Sequence, residues 1–352
     1  MVGPKRSSTR KPVVQMTDGD KRDLFARVRV LLADHDSRTG NLVQGILFSF
    51  GFRDIDCVNS GSDVLRRLAT RNYDLIITEY SMAEIDGITL VKAIRSAKDN
   101  KRIPRDIPII MLTARAEMDH IQAARDAGIS EFVAKPFSAK TISDRIVMVI
   151  DNPRSFVDAP GFAGPCRRRR GVPPPGVQER RGARAAKPSV AQAAREAAML
   201  SPPNFVLRDQ LGEVSARDIL TEMVVAEAQA KLLMAESEFV EWAREDISKL
   251  EIAFKTLVDD MGNVFALADL HQCAYRIQSR AGIFGYHLGT EVASLLENYL
   301  TAHPRINDND LLIIRKHIDV VTVIFNQGMK DSGNRIGQEL MGSLKKLIAK
   351  LG

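Results

Sequence analysis

At 352 residues, 45% hydrophobic and 27% charged, the chain has the make-up of a globular protein with two ordinary domains, two cores and a join. Its formal net charge of +6 sits in one segment: residues 151–190 hold nine basic residues against three acids, so the remainder balances to zero and a basic nucleic-acid-binding face is not expected. Cys57, Cys166 and Cys273 lie far apart with no CxxC pair, which argues against a disulfide framework and a zinc site and favours a reducing cytosol.

Residues 1–26 read as a basic, disordered tail (KRSSTRKP) with no apolar core of signal-peptide length. No later stretch approaches the roughly 18 unbroken apolar residues of a membrane span, so a cytoplasmic protein is expected. From 27 to 150 short apolar runs, VRVLLA, DIDCV, LIIT, IPIIML and EFVA, alternate with amphipathic stretches. That pattern predicts an α/β domain, a flavodoxin-like doubly wound five-stranded parallel sheet with helices on both faces. Residues 151–203 collect Pro, Gly, Arg and Ala with few large apolar groups and are read as a flexible linker. Beyond it, residues 204–352 carry four helical stripes: Ala243, Ile247, Leu250, Phe254, Leu257; then Leu267, Leu270, Ala274, Ile277, Ala281; then Leu311, Ile314, Ile318, Val321, Phe325; then Ile336, Leu340, Leu344, Leu347. An all-α helical bundle accounts for them.

In such a sheet ligands bind beyond the carboxyl ends of the strands. Polar residues stand at those places: Asp34-His35-Asp36 after the first run, Thr78-Glu79 at the third, Thr113 at the fourth and Lys135-Pro136 at the fifth, with Asp86-Gly87 following the third strand. Singly, each is an ordinary capping or loop residue. Together, in this order, they resemble the CheY-like response regulator receiver family. The resemblance implies that an acidic pair binds Mg²⁺, that an aspartate after the third strand accepts phosphate from a histidine kinase, and that a hydroxyl, a lysine and a switch aromatic complete the pocket. Carried over, Asp34 and His35 fall at the acidic pair, Glu79 at the phosphoacceptor, Thr113 at the hydroxyl, Lys135 at the lysine and Phe132 at the aromatic.

Two of these depart from the pattern. Glu79 replaces the aspartate, and its extra methylene carries the carboxylate about 1.5 Å farther from the backbone, towards the place of a phosphoryl group and within range of Lys135 and Thr113. His35 stands where a hard oxygen ligand is needed, and imidazole suits Mg²⁺ poorly. Asp34 remains as a weak or lost metal ligand, so no cofactor is expected, with Mg²⁺ in doubt. A rescue of metal binding and chemistry through Asp36 is the alternative.

The stretch FVDAPGFAGPCRRRRGVPPPGVQERR resembles a tail of alphaproteobacterial receivers, of the form GPDRRRR. Its four arginines, 167–170, are read as a solvated spacer, with anchoring to nucleic acid or a membrane surface as the alternative; no aromatic residues interleave them for base stacking. The segment AYRIQSRAGIFGYHLGTEVASLLENY resembles the site helix of histidine phosphotransfer (HPt) domains through Ala274, Ile277, Ala281, Gly282, Phe284 and Gly285. By that resemblance Tyr275 replaces the phosphorylatable histidine and Gln278 the nearby lysine. Phosphoryl transfer needs a nucleophilic imidazole and a cation beside it, and Tyr275 and Gln278 supply neither. His271, one turn earlier, is a displaced phosphohistidine or a structural histidine; His317 reads as a packing residue.

The expected function is therefore a non-enzymatic one: a pseudo-receiver tethered to a pseudo-HPt bundle, acting as adaptor or competitor for a histidine kinase, phosphotransferase or response regulator. A relay through Asp36 or His271 is the second reading. A homodimer is among the expected assemblies, since both resembled families dimerise often.

Overall fold

The computed structural model describes residues 16–82, 84–98, 100, 102–114, 118–167, 199–330 and 335–351. The five apolar runs form β1 (Arg29–Ala33), β2 (Asp54–Val58), β3 (Leu75–Glu79), β4 (Ile109–Thr113) and β5 (Glu131–Ala134). All pair in parallel in the order β2-β1-β3-β4-β5. Every residue of β3 and β4 is buried, as a strand covered on both faces must be. The connections are helical: α2 (Ser37–Phe50), α3 (Gly61–Thr70), α4 (Gly87–Ser96), α5 (Met118–Ala127) and α6 (Ala139–Asp151). The side chains of Asp36, Ser60, Asp86 and Ser138 cap α2, α3, α4 and α6 by accepting from first-turn N–H groups. The flavodoxin-like sheet and the helical C-terminal region are thus both present.

The chain is folded from earlier than the sequence suggests. A short helix α1 (Asp18–Arg22) opens with a Thr17–Asp20 capping box, and Phe25, fully buried, stacks on Phe52 with ring centroids 4.5 Å apart. The tail reading therefore fails for residues 16–26, because Phe25 is a core residue of the sheet domain; residues 1–15 lie outside the described part.

The linker reading fails at both of its ends. Strands β6 (Ser155–Ala159), β7 (Phe162–Pro165) and β8 (Met199–Pro203) form an antiparallel sheet in the order β7-β6-β8. Of the large apolar side chains in β6 and β7 only that of Phe156 is buried, and its cover comes from the neighbouring domain. Phe156 is buried beneath the guanidinium groups of Arg95 and Arg105, 5.9 and 5.6 Å from its centroid. Arg95, itself buried, donates to the carbonyls of Gly128 and Ile107, both at 2.8 Å. Gly128 approaches the hairpin so closely that a Cβ there would stand 2.5 Å from the Ala163 carbonyl oxygen. The linker reading of residues 168–198, including three of the four clustered arginines, falls outside the described part.

The third difference concerns residues 206–234, assigned to the bundle from sequence. Helices α7 (Val206–Leu211), α8 (Ala216–Ile219) and α9 (Glu222–Met234) lie instead across the sheet domain. Asp151 accepts from the N–H groups of Ala216 at 2.8 Å and Arg217 at 3.2 Å, and Gln229 accepts from the Ala139 N–H at 2.9 Å. The bundle follows as α10 (Glu236–Asp259), α11 (Val264–Ala281), α12 (His287–Ala302) and α13 (Asp308–Asn326), with α14 (Arg335–Leu351) against α13. The expectation of two cores gives way here: one buried apolar cluster runs from Phe50 and Ile146 through Leu220 and Val225 to Leu250 and Ile318, while a second fills the opposite face of the sheet. In the last stripe Ile336 is 55% exposed and Met341 is buried with Leu344 instead. Among the described residues no helix is long and apolar enough to cross a membrane.

His317 on α13 is fully buried, with Nδ1 2.8 Å from the Ile313 carbonyl oxygen. Burial drives its pKa down from 6.5 to about 4. The unfolded imidazole takes up a proton where the folded one does not, so this stabilisation is complete above pH 6.5 and disappears as pH falls towards 4. Denaturant titrations at pH 7 and pH 4 should differ by about 3 kcal/mol on this account, and His317→Asn should flatten that part of the pH dependence.

Candidate functional site

The carboxyl ends of β1, β3, β4 and β5 bring Asp34, Glu79, Thr113 and Lys135 together, and all four are buried. Glu79 is fully enclosed. Its Oε2 accepts a short hydrogen bond from Lys135 Nζ, and its Oε1 accepts from the Tyr80 backbone N–H at 2.9 Å. Lys135 also donates to Asp34 Oδ2 at 3.2 Å, and its backbone N–H meets the Thr113 carbonyl at 2.6 Å. One ammonium therefore serves two buried carboxylates. The Asp86-Gly87 pair has a structural task beside this pocket: Asp86 caps α4, and a Cβ on Gly87 would lie 2.4 Å from the Glu79 carbonyl oxygen.

A further partner of Glu79 comes from the bundle. The Tyr275 hydroxyl, on α11, donates to Glu79 Oε1 at 2.8 Å. The expected contact between Glu79 and Lys135 is present, and a side-chain hydroxyl from a residue 196 positions away also reaches Glu79. Tyr275 is buried, and its ring lies 5.8 Å from that of His35. Burial lowers the His35 pKa from its ordinary value, with the Asp34 charge opposing, so the imidazole is held in its neutral form.

A second set of contacts joins the same two surfaces. Asp36 caps α2, accepts from Thr39 Oγ1 at 2.7 Å and lies 3.2 Å from Arg280 Nε at the end of α11. Arg280 also pairs closely with Asp246 of α10, which lies 3.3 Å from Arg276. Arg280, Asp246 and Asp36 are each at least nine-tenths buried. Burial alone would raise the Asp36 pKa, but the Arg280 charge and the Thr39 hydrogen bond outweigh it and hold the group below the usual carboxylate range. For Asp246 burial prevails over Arg280 and Arg276, and its pKa is raised. Arg280 and Asp246 were not singled out from sequence. The available signal was a charge beside each stripe, Asp246 next to Ile247 and Arg280 next to Ala281. Nearby, Gly282 lets α11 close on Pro136, where a Cβ would stand 2.4 Å from the proline Cγ.

The other sequence candidates are dispersed. His271 is half-buried and lines an open cavity of about 520 Å³ with His35, Met82, Gln272, Tyr275 and Glu297. Gln278 is half-buried on α11. Phe132 on β5 is half-buried beneath Arg145, whose guanidinium carbon is 5.8 Å from the ring centroid.

The donor set does not fit Mg²⁺. Asp34 Oδ1 accepts from the Asp36 N–H at 2.9 Å and Oδ2 from Lys135. The Asp36 oxygens face Arg38 N–H, Thr39 and Arg280, and His35 offers nitrogen where Mg²⁺ favours oxygen. The cationic places around these carboxylates are filled by Lys135 and Arg280.

A family model described as the response regulator receiver domain matches residues 30–147. Chemotaxis protein CheY of Pseudomonas aeruginosa is 28% identical over 124 residues, covering 35% of this chain and 97% of the relative. Chemotaxis protein CheY-3 of Vibrio cholerae is 27% identical over 128 residues, covering 36% and 95%. Residues 30–147 are a CheY-like response regulator receiver domain. Among solved structures, the receiver domain of a sensor histidine kinase from Pseudomonas aeruginosa, with magnesium in its active-site cleft, is 26% identical and covers 34% of this chain and 94% of its own, with a TM-score of 0.31. The receiver places this chain in two-component signalling.

Truncating Arg280 would remove the ion-pair partner of buried Asp36 and leave buried Asp246 to Arg276. Arg280→Ala should lower the unfolding free energy by about 3 kcal/mol or more in denaturant titration, with Arg280→Lys falling between it and the wild type.

Proposed function

We propose that the protein is a phosphorylation-independent adaptor in two-component signalling, a pseudo-receiver closed within the same chain by a pseudo-HPt bundle. The observation that carries this reading is the hydrogen bond from Tyr275 to Glu79. By the two resemblances, these residues stand where a phosphohistidine and its aspartate acceptor would face each other. A phenol offers no imidazole nitrogen for phosphoryl transfer. The Glu79 oxygens are already engaged by Lys135, Tyr80 and Tyr275, and the charge of Lys135, which would offset an incoming phosphoryl group, offsets Glu79 and Asp34.

The relay reading finds less support. Asp36 is held as a helix cap and as the partner of Arg280, so its carboxylate has no approach to a phosphoryl donor. His271 borders the open cavity, but the helix around it carries Gln278 in place of the cation that transfer requires.

Adaptor is favoured over competitor because the two resembling surfaces bury each other. Glu79, Lys135, Tyr275 and Arg280 are all buried, so a histidine kinase, phosphotransferase or response regulator would be engaged through the outer surfaces while the pair stays closed. Competition through the buried faces would require the pair to open first. The reading calls for no Mg²⁺ and no catalytic step.

Incubation with acetyl phosphate and Mg²⁺ followed by intact-mass measurement should give no phosphorylated species; a phosphoryl group on either half would sink the proposal. Tyr275→Phe, which leaves a buried carboxylate oxygen short of a donor, should cost about 1–3 kcal/mol and speed hydrogen exchange at Tyr80 and along α11.

A further inference from the structure

A cleft on the far side of the receiver is built partly from segments outside the family match. It lies between α5, β5 and the β6–β7 hairpin, encloses about 380 Å³, and is lined by Arg125, Ile129, Phe132, Arg154, Pro165 and Arg167. Arg154 and Arg167 belong to the added strands and their continuation, beyond residue 147 where the receiver match ends. We infer that this cleft binds a phosphate-bearing anion of nucleotide size.

The charge arrangement supports this. Arg154 is fixed by the carbonyl oxygens of Ser130, Ile129 and Cys166, the last two at 3.4 and 3.2 Å, which orient the guanidinium. Arg167 spans the rim, 2.9 Å from Asp126, with its guanidinium carbon 4.1 Å from the Phe162 centroid; half of its side chain remains exposed. Arg125 is exposed on α5. Glu131 is buried at the cleft floor and faces Arg145 at 3.5 Å. Three arginine side chains thus line one concavity, and the planar donor forks of arginine suit phosphate oxygens.

The apolar part of the lining sets the rest of the ligand. Ile129, Phe132 and Pro165 form a wall against which a planar ring can lie, and the volume falls in the range of about 300–1,000 Å³ usual for small-molecule sites. A nucleoside diphosphate satisfies both demands, with its phosphates on the arginines and its base on the wall. An extended single strand is disfavoured, since such binding uses several stacking aromatics along a groove and this cleft has one. The site is separate from the Glu79–Tyr275 contact and does not depend on how the bundle is read.

Calorimetric titration of the full chain at low salt, with inorganic pyrophosphate and with adenosine diphosphate, tests the inference. One saturable site is expected, with the nucleotide bound more tightly than pyrophosphate. Replacing Arg125 and Arg167 together by alanine should weaken both probes about tenfold or more, while Phe132→Leu should erase the advantage of the nucleotide and leave pyrophosphate unchanged. Thermal melts verify that each variant is folded, and Arg125→Glu, at an exposed position, serves if the double variant is not. Absence of saturable binding, pyrophosphate binding unaffected by the arginine variants, or a single-stranded oligonucleotide binding more tightly than the nucleotide would each overturn it.

Discussion

The buried carboxylate of Glu79 is the constraint around which the two halves of the protein are arranged. A charge taken out of water has to be met by donors on every side. Here Lys135 and the Tyr80 N–H come from the receiver, and the Tyr275 hydroxyl comes from the bundle. Asp34 depends on the same ammonium. The pocket is therefore electrostatically complete only when α11 lies across it.

Arg280 repeats this logic a few ångströms away. Its guanidinium is shared between a receiver acid, Asp36, and a bundle acid, Asp246, and a side chain with five donors in a rigid fork is suited to bridging two carboxylates. The apolar contribution is continuous with these polar contacts. Helix α9 packs on α2 and α6, and its buried residues Val224, Val225, Ala228 and Leu232 belong to the same cluster as the bundle core. Gly282 then permits backbone approach at Pro136. Hydrophobic burial thus holds the halves together, while the ion pairs and the Tyr275 hydrogen bond fix which surfaces meet.

Much of this was legible in the sequence. The five apolar runs are the five strands, and the residues at their ends gather in one pocket because strand order and parallel direction place every carboxyl terminus on one edge. The stripes around Leu250, Ile277 and Ile318 mark the bundle core for a similarly simple reason, the period of the helix. What escaped was structure stabilised by partners far along the chain. The β6–β7 hairpin escaped because the cover of its buried Phe156 comes from Arg95 and Arg105, far back along the chain. Phe25 looked like part of a polar tail because a single aromatic carries no period. Tyr275 could be matched to a phosphohistidine position, but its bond to Glu79 depends on how two domains meet, which no local pattern encodes.

The Tyr275–Glu79 contact also bears on modularity. Receiver domains and helical bundles are usually treated as interchangeable parts, each carrying its own complete pocket, so that a new arrangement of parts makes a new circuit. In this chain the receiver pocket borrows a donor from 196 residues downstream. Neither half carries a finished site, and a graft of one half onto a foreign partner would transfer an incomplete pocket. The unit that recombination could move intact is the pair.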